Sequence, residues 1–280
     1  MQKLLIVDGH NLLFQMFFGM PTRIVNKDGK AIQGTLGFVG ALLKIIRMTT
    51  PTHLVVLFDG EHENVRANVN ADYKANRIDY SAVSDEESPF SQLQDVYAAL
   101  DYLCITHKET NDCEADDLIA SYAIHYGNNM QIVISSFDSD FFQLINKNVS
   151  VLRYRGDNTV ICDTDYIKHK FGINPEQYAD FKSLTGDVSD NIKGAAKVGP
   201  KTATALINQF GCIDEIIRKA DEIKKPSVRV SIKEDYGRLL DNFKLIKLKD
   251  KANMPFDIAT LEYKYTGITT NTVLKEIGLR

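Results

Sequence analysis

Gln131-Ile-Val-Ile-Ser-Ser-Phe-Asp-Ser-Asp140 is the stretch on which the reading of this chain turns. Gln131 to Ile134 has the near-continuous β-branched character of a strand buried on both faces. It runs within a few residues into two aspartates, Asp138 and Asp140, one residue apart. Two carboxylates at roughly 4 Å repel by about 4 kcal/mol at an effective dielectric near 20, so such a pair is either a solvated turn or the holder of a cation.

The same grammar occurs twice more. Lys3 to Val7 leads into Asp8-Gly9, and His53 to Phe58 leads into Asp59-Gly60. Taken singly, each Asp-Gly reads as a turn. Between the apolar runs lie helical patterns at Leu36 to Ile46 and Leu118 to Tyr126. Strands alternating with helices predict an α/β fold with a mostly parallel central sheet flanked by helices. In such a sheet the strand C-termini share one rim, where ligands bind, so Asp8, Asp59, Asp138 and Asp140 are expected to gather there. Tyr102–Thr106 and Val149–Arg155 are further strand candidates, neither read as ending in an acid. After about residue 165 the strand signal fades. Short helices joined by Gly-rich turns are expected from Pro175 to Ala220, with helix continuing to about Lys249. The last thirty residues show only weak periodicity.

Two more acidic groups bear on the rim. Asn111-Asp-Cys-Glu-Ala-Asp-Asp-Leu118 opens a helix. Capping and the helix dipole explain one or two of its acids, but not Glu114, Asp116 and Asp117 together. In Leu184-Thr-Gly-Asp-Val-Ser-Asp190, Asp187 and Asp190 are spaced to face the same way on one helical turn, although alone they read as a cap or turn. Carboxylates without His or Cys partners select hard ions such as Mg²⁺ or Mn²⁺. Two such ions at about 4 Å are a standard device for phosphodiester hydrolysis.

The bulk properties agree. The chain has 280 residues, 44% of them hydrophobic, enough for a sizeable core. No apolar run approaches the roughly 20 residues of a membrane span, and the N-terminus is too soon acidic for a signal peptide. Cys104, Cys113, Cys162 and Cys212 lack metal or redox spacing and read as reduced thiols of a cytoplasmic protein. No His-x-His or His-Glu-x-x-His pattern supports a zinc enzyme. The net charge is −4 overall, yet residues 182–251 hold 15 Lys/Arg against 10 Asp/Glu, a hint of a phosphate-facing surface. If 66–77 is helical, Arg66, Tyr73, Lys74 and Arg77 share a face just after Asp59. Cations there suit a scissile phosphate, and a tyrosine suits a base. Ile78 to Ser91, with its acidic run and Pro89, reads as a mobile excursion.

The ordered set Val7-Asp-Gly9, Phe58-Asp59, Tyr73-Lys-Ala-Asn-Arg77, Glu114-Ala-Asp-Asp117, Asp138-Ser-Asp140, Leu184-Thr-Gly-Asp-Val-Ser-Asp-Asn191 and Val198-Gly-Pro-Lys-Thr-Ala203 resembles the flap endonuclease and 5′-nuclease family. The likeness is strongest to the 5′–3′ exonuclease domain that precedes bacterial DNA polymerases, here as a standalone exonuclease. The resemblance implies a PIN-like nuclease core over 1–175 with a helical arch at about 66–95. It implies a helical DNA-binding subdomain over 176–280 containing a helix–three-turn–helix at about 184–212. It implies two Mg²⁺ or Mn²⁺ ions, one served by Asp8, Asp59, Glu114 and Asp116, the other by Asp138, Asp140, Asp187 and Asp190, with Asp117 near both. It implies that Lys74 and Arg77 contact the scissile phosphate, with Arg66 and Tyr73 on the DNA. Lys193, Lys197, Gly199, Lys201 and Thr202 would grip the duplex backbone beside a potassium ion. The partner implied for this monomer is DNA with 5′ flaps, overhangs or nicks, and no membrane. A PIN-type ribonuclease and a non-catalytic structure-specific DNA-binding protein share parts of this pattern. Two departures stand out: Gln15 where the family commonly has an arginine, and Lys197 where it has a glycine. If the latter position takes positive φ, lysine costs about 1 kcal/mol there.

Overall fold

The computed structural model describes residues 2–60, 70, 73–76, 78, 80 and 83–280. Six strands form one sheet in the order β3-β2-β1-β4-β5-β6. They are β1 (Lys3–Asp8), β2 (His53–Phe58), β3 (Thr106–Glu109), β4 (Gln131–Ser135), β5 (Val149–Arg153) and β6 (Val160–Cys162). The first five run parallel, and β6 closes the edge antiparallel to β5. Leu4 to Val7 and Leu54 to Phe58 are almost wholly shielded, as continuous apolar strands must be when helices cover both faces. The chain moves outward from β1 to β2 and β3, then returns to β4 on the other side of β1. The crevice opened by this reversal lies at the C-terminal end of β1, where Asp8 is the last residue.

Helices α1 (Gly9–Gly19), α2 (Gln33–Thr49) and α3 (Leu93–Tyr102) cover one face, sharing a core with Leu5, Val7, Val56, Phe58 and Leu152. Helix α4 (Ala115–Tyr126) covers the other. On that side lie α5 (Thr164–Phe171), α6 (Tyr178–Thr185), α7 (Pro200–Phe210), α8 (Ile213–Arg218) and α9 (Pro226–Ile246), with a small hairpin of β7 (Gly186–Asp187) and β8 (Ile192–Lys193). Residues of these helices and of the α4 face belong to one continuous apolar cluster, from Ile6 and Ile134 to Leu206 and Leu239. Among the described residues most of the helical part therefore shares the core of the α4 face, beside a small cluster of Tyr73, Ala179, Ile192, Leu245 and Ile246. Among the described residues no helix is long and apolar enough to cross a membrane.

Several expectations shift. The strand sought at 102–106 is β3, four residues later. Tyr102 ends α3, and Cys104 turns the chain with φ +52°, so the strand ends in Glu109 after all. Tyr73 to Asn76 form a turn rather than a helix, and Arg66 and Arg77 lie outside the described residues, as does part of the arch expected at about 66–95. The last thirty residues return to the first core instead of extending the helical part to 280. Glu262 bridges to His53, while Val273 and Leu274 of α10 (Thr270–Glu276) are buried, Val273 in the α2/α3 core. The Asp-Gly pairs have a tighter cause than turn preference. A Cβ on Gly9 would sit 2.4 Å from the Phe58 ring, and one on Gly60 would sit 1.8 Å from the Thr110 carbonyl oxygen. Glycine lets α1 cross β2 and lets the end of β2 approach the chain leaving β3.

Candidate active site

Asp8 closes β1 and also caps α1, accepting the Asn11 N–H at 3.1 Å and the Ser136 hydroxyl at 2.8 Å. Ser136 Oγ in turn accepts the Asp138 N–H at 3.0 Å, and Asp138 Oδ1 accepts the Asp140 N–H at 2.7 Å. The side chain of Asn11 accepts the Phe137 N–H at 2.9 Å. The backbone after β4 is thus tied to the end of β1 by polar groups at each step. This is the local reason two aspartates one residue apart hold fixed positions.

Asp59 follows β2 and accepts the Ala115 N–H of α4 at 2.7 Å, which brings the acids of that helix to the rim. Its own N–H donates to His10 Nδ1 at 3.2 Å. Burial lowers the His10 pKa, so the ring is a neutral acceptor that positions Asp59. Glu114, the residue before α4, accepts Lys74 Nζ at 2.9 Å, with both side chains largely buried. Lys74 adopts φ +58° and donates its N–H to the Asp190 carbonyl oxygen at 3.1 Å, which ties the turn after β2 to the turn after α6. A non-glycine residue held at positive φ is the kind of local strain that concentrates at functional positions.

Asp140, Asp187 and Asp190 offer carboxylate oxygens that all lie within 4.8 Å of one another. Lys182 of α6 reaches into this group, paired with Asp140 Oδ1 at 2.5 Å and with Asp187. Burial works against its ammonium, but Asp140, Asp138 and Asp187 outweigh that and hold its pKa above the ordinary lysine value. Burial likewise opposes ionisation of Asp187, and Lys182 and Ser189 reverse it, leaving the carboxyl below its usual range. At Asp140 burial wins. Together with Asp138 it pushes the pKa up to about 7 despite Lys182. Asp8 is also pushed up to about 7, chiefly by burial, with Asp59 and Asp138 adding repulsion. Burial first, then Asp138, Asp59 and Asp8, raise Asp116 well above the carboxylate range. Carboxylates raised by burial and by one another suit hard divalent cations, so the donor set fits the expected metals.

Asp8, Asp59, Asp116, Asp138, Asp140, Asp187 and Asp190 therefore lie near one another, from separated stretches of sequence. Asp117 is buried and accepts the Lys249 N–H at 2.9 Å, linking α4 to the segment after α9. Tyr73 is a correction. It is buried against Ala179, Ile192, Leu245 and Ile246, and its ring serves the core rather than a nucleic-acid face. Lys193, Lys197 and Lys201 are exposed while Ile192, Ala195 and Val198 anchor their turn below. Lys197 has φ +62°, so the lysine occupies the left-handed conformation that favours glycine. Gly199 precedes α7, and its carbonyl oxygen accepts the N–H groups of Thr202 and Ala203. Gln15 donates to the Tyr154 carbonyl oxygen at 2.6 Å.

Sequence reasoning missed Lys182, His10, Asn11 and Ser136. For Lys182 no periodic signal existed, because α6 is buried at every position from Tyr178 to Leu184. Once a lysine is buried, it asks for an anionic partner.

Comparison with known proteins gives two family matches. Residues 3–172 match the model described as 5′–3′ exonuclease, N-terminal resolvase-like domain, and residues 173–268 match 5′–3′ exonuclease, C-terminal SAM fold. The thermostable DNA polymerase I of Thermus filiformis is 32% identical over 261 residues, covering 93% of this chain and 30% of the relative. DNA polymerase I of Bacillus subtilis (strain 168) is 29% identical, covering 99% of this chain and 32% of the relative. The chain thus spans about a third or less of the length of these curated relatives. Among solved structures, T5 5′-exonuclease with bound divalent metal ions (zinc) superposes with a TM-score of 0.71 at 22% identity, covering 88% of this chain and 89% of that one. The catalytic core of Rad2 in complex with DNA substrate gives 0.60 at 14% identity, covering 99% and 93%. These likenesses extend to the fold.

Proposed function

Because this chain belongs to the 5′–3′ exonuclease family, we propose that it hydrolyses DNA phosphodiesters in a divalent-metal-dependent reaction at 5′ ends, nicks and 5′ flaps. The observation that supports this most is the convergence of Asp8, Asp59, Asp116, Asp138, Asp140, Asp187 and Asp190 on the strand rim, with Lys74 and Lys182 set among the acids. Asp8, Asp59, Glu114 and Asp116 would hold one Mg²⁺ or Mn²⁺ ion. Asp138, Asp140, Asp187 and Asp190 would hold the other, with Asp117 beside both. When bound, such a pair supplies Lewis acidity for attack by water and for the departing oxygen.

The remaining work falls to the chain's own groups. Ser136 and Asn11 fix the distance between the β1 and β4 carboxylates. Lys182 favours the ionised form of Asp140 and Asp187. Lys74, with Arg77, orients the scissile phosphate, while Lys193, Lys197, Lys201 and Thr202 hold duplex backbone without reading sequence, next to a potassium ion. The test is a 5′-labelled flap incubated with Mg²⁺, with Mn²⁺ and with chelator, beside a matched RNA flap. Cleavage of the DNA flap that the chelator abolishes is expected. Binding without hydrolysis, or cleavage of the RNA flap alone, refutes the proposal.

Lys74→Ala is expected to lower kcat about 100-fold with little change in DNA affinity, since its ammonium acts on charge that grows in the transition state. Equal losses in both would assign Lys74 to binding instead. Asp187→Asn combined with Asp190→Asn is expected to remove one of two binding events in a calorimetric Mn²⁺ titration. An unchanged isotherm would reject the second ligand set.

A further inference from the structure

A cavity of about 500 Å³ opens beside the carboxylate rim, between the chain leaving β3 and the segment that follows α9. Glu114 and Asp117 stand where it meets the rim. Lys108 lines it from β3, and Lys249 and Lys251 line it from the segment after α9. Its volume falls within the roughly 300–1,000 Å³ that small ligands occupy. Both walls are fixed by hydrogen bonds. On the β3 side, the Thr110 N–H donates to the Phe58 carbonyl oxygen at 2.9 Å, and the Thr110 hydroxyl accepts the Gly60 N–H at 3.2 Å. On the other side α4 holds three backbone N–H groups. Asp117 Oδ1 accepts that of Lys249 at 2.9 Å, Ser121 Oγ that of Ala252 at 3.0 Å, and the Tyr122 hydroxyl that of Phe256 at 3.1 Å. The walls are thus set by the fold, so a ligand need not order them.

The charged groups of this cavity are unevenly committed. Glu114 is paired with Lys74, Glu109 accepts the Tyr97 hydroxyl, and Asp117 is buried and accepts the Lys249 N–H. Lys108, Lys249 and Lys251 are exposed, and among the described residues none of the three takes part in a salt bridge. With Lys74 set against Glu114, three ammonium groups face Glu109 and Asp112, an excess of cations that an external anion relieves. Cys113, Ala252 and Pro255 add apolar surface to the same lining. A ligand that fits is therefore anionic at one end and apolar and flat elsewhere.

We infer that this cavity binds a nucleoside 5′-monophosphate, with its phosphate among Lys108, Lys249 and Lys251 and its base on the apolar lining. A terminal phosphate offers three strong acceptor oxygens to the three lysines, more than a backbone phosphodiester can. The site stands on these residues; that its ligand is the reaction's own product rests on the proposed nuclease function. Hydrolysis of the first phosphodiester at a 5′-phosphorylated end, with water adding to phosphorus and the 3′ oxygen of the terminal nucleotide departing, frees such a molecule. It does so beside Glu114 and Asp117, which the cavity shares with the rim. A nucleotide retained there delays the next cycle, so the cavity is a product-inhibition site.

The experiment follows alkylation of Cys113 by iodoacetamide in the full chain, at pH 8 in chelator, read peptide by peptide by mass spectrometry. The probes are deoxyadenosine 5′-monophosphate, deoxyadenosine, inorganic phosphate and the dinucleoside monophosphate dApdA, whose phosphate is a diester. At saturation the monophosphate is expected to slow Cys113 by about threefold or more and to leave the exposed Cys104 unchanged, and the other probes should need about tenfold higher concentrations. Lys249→Ala/Lys251→Ala and, separately, Lys108→Ala should each raise the monophosphate concentration for half-protection by about tenfold. With Mg²⁺, added monophosphate should inhibit flap cleavage by the wild type and do so less potently in the double variant. No protection of Cys113, equal protection by dApdA, or unchanged half-protection in the variants overturns the inference. Protection in a chain that never cleaves DNA would uphold the site and refute the nuclease reading alone, whereas cleavage without protection would do the reverse.

Discussion

Asp116→Asn is expected to lower cleavage of a 5′-flap by about a thousandfold or more, equivalent to roughly 4 kcal/mol of transition-state stabilisation. It should do so while leaving the metal-free fold as stable as wild type or more so. The two readouts have one origin. Asp116 is half-buried beside Asp138, Asp59 and Asp8, and desolvation and those three charges raise its pKa. An amide of nearly the same shape relieves the repulsion but removes a ligand charge. Asp8 is a poorer choice for this test because it also caps α1 and accepts from Ser136, so its replacement mixes folding with chemistry. Gel assays with Mg²⁺ and thermal melts in chelator read the two effects. Activity retained within tenfold, or a lowered melting temperature in chelator, contradicts the assignment.

Lys182→Met should produce the opposite signature. Removing one partner from a buried ionic group leaves uncompensated charge and costs about 3 kcal/mol or more, roughly 6–12 °C in melting temperature for a chain of this size. Here Asp140 and Asp187 would be left facing each other. The loss should appear in chelator at pH 8 and be largely reversed by millimolar Mg²⁺ or Mn²⁺, because a divalent ion replaces the missing cation. It should also shrink on acidification. Asp140 and Asp8 have folded-state pKa values pushed up to about 7 from an ordinary 3.8. A carboxyl raised in this way contributes stability that is full below the unfolded value and is lost as pH rises through the folded one. Metal-free wild type should accordingly melt at a higher temperature at pH 5 than at pH 8, and the variant should show the steeper trend. A melting temperature unaffected by the substitution, or a loss that metal does not restore, would mean that Lys182 is there for packing alone.

The contrast between these two residues marks how far the sequence could be read. Asp116 was legible because it recurs with Glu114 and Asp117 at a helix start, more acids than capping needs. Lys182 was not singled out. Only the folded chain buries α6 on every side and brings Asp140 and Asp187 to meet it. Tyr73 shows the converse error. An aromatic beside cations reads as a stacking surface, yet Ile192, Leu245 and Ile246 arrive from far along the chain to cover it. At Lys197 local reasoning held, because the left-handed backbone is a property of one residue and its turn.

Local pattern alone yields parallel strands alternating with helices, and it puts Asp8, Asp59 and Asp138 at the same edge as they leave those strands. Both follow from local periodicity and from the fixed direction of strands in a parallel sheet. Long-range packing is what returns residues of the last thirty to the first core, turns Tyr73 inward and carries Lys182 into the acid cluster. Periodicity reports which side of an element is apolar; it carries no information about which distant element will cover that side, or which distant charge will make burial of a lysine favourable.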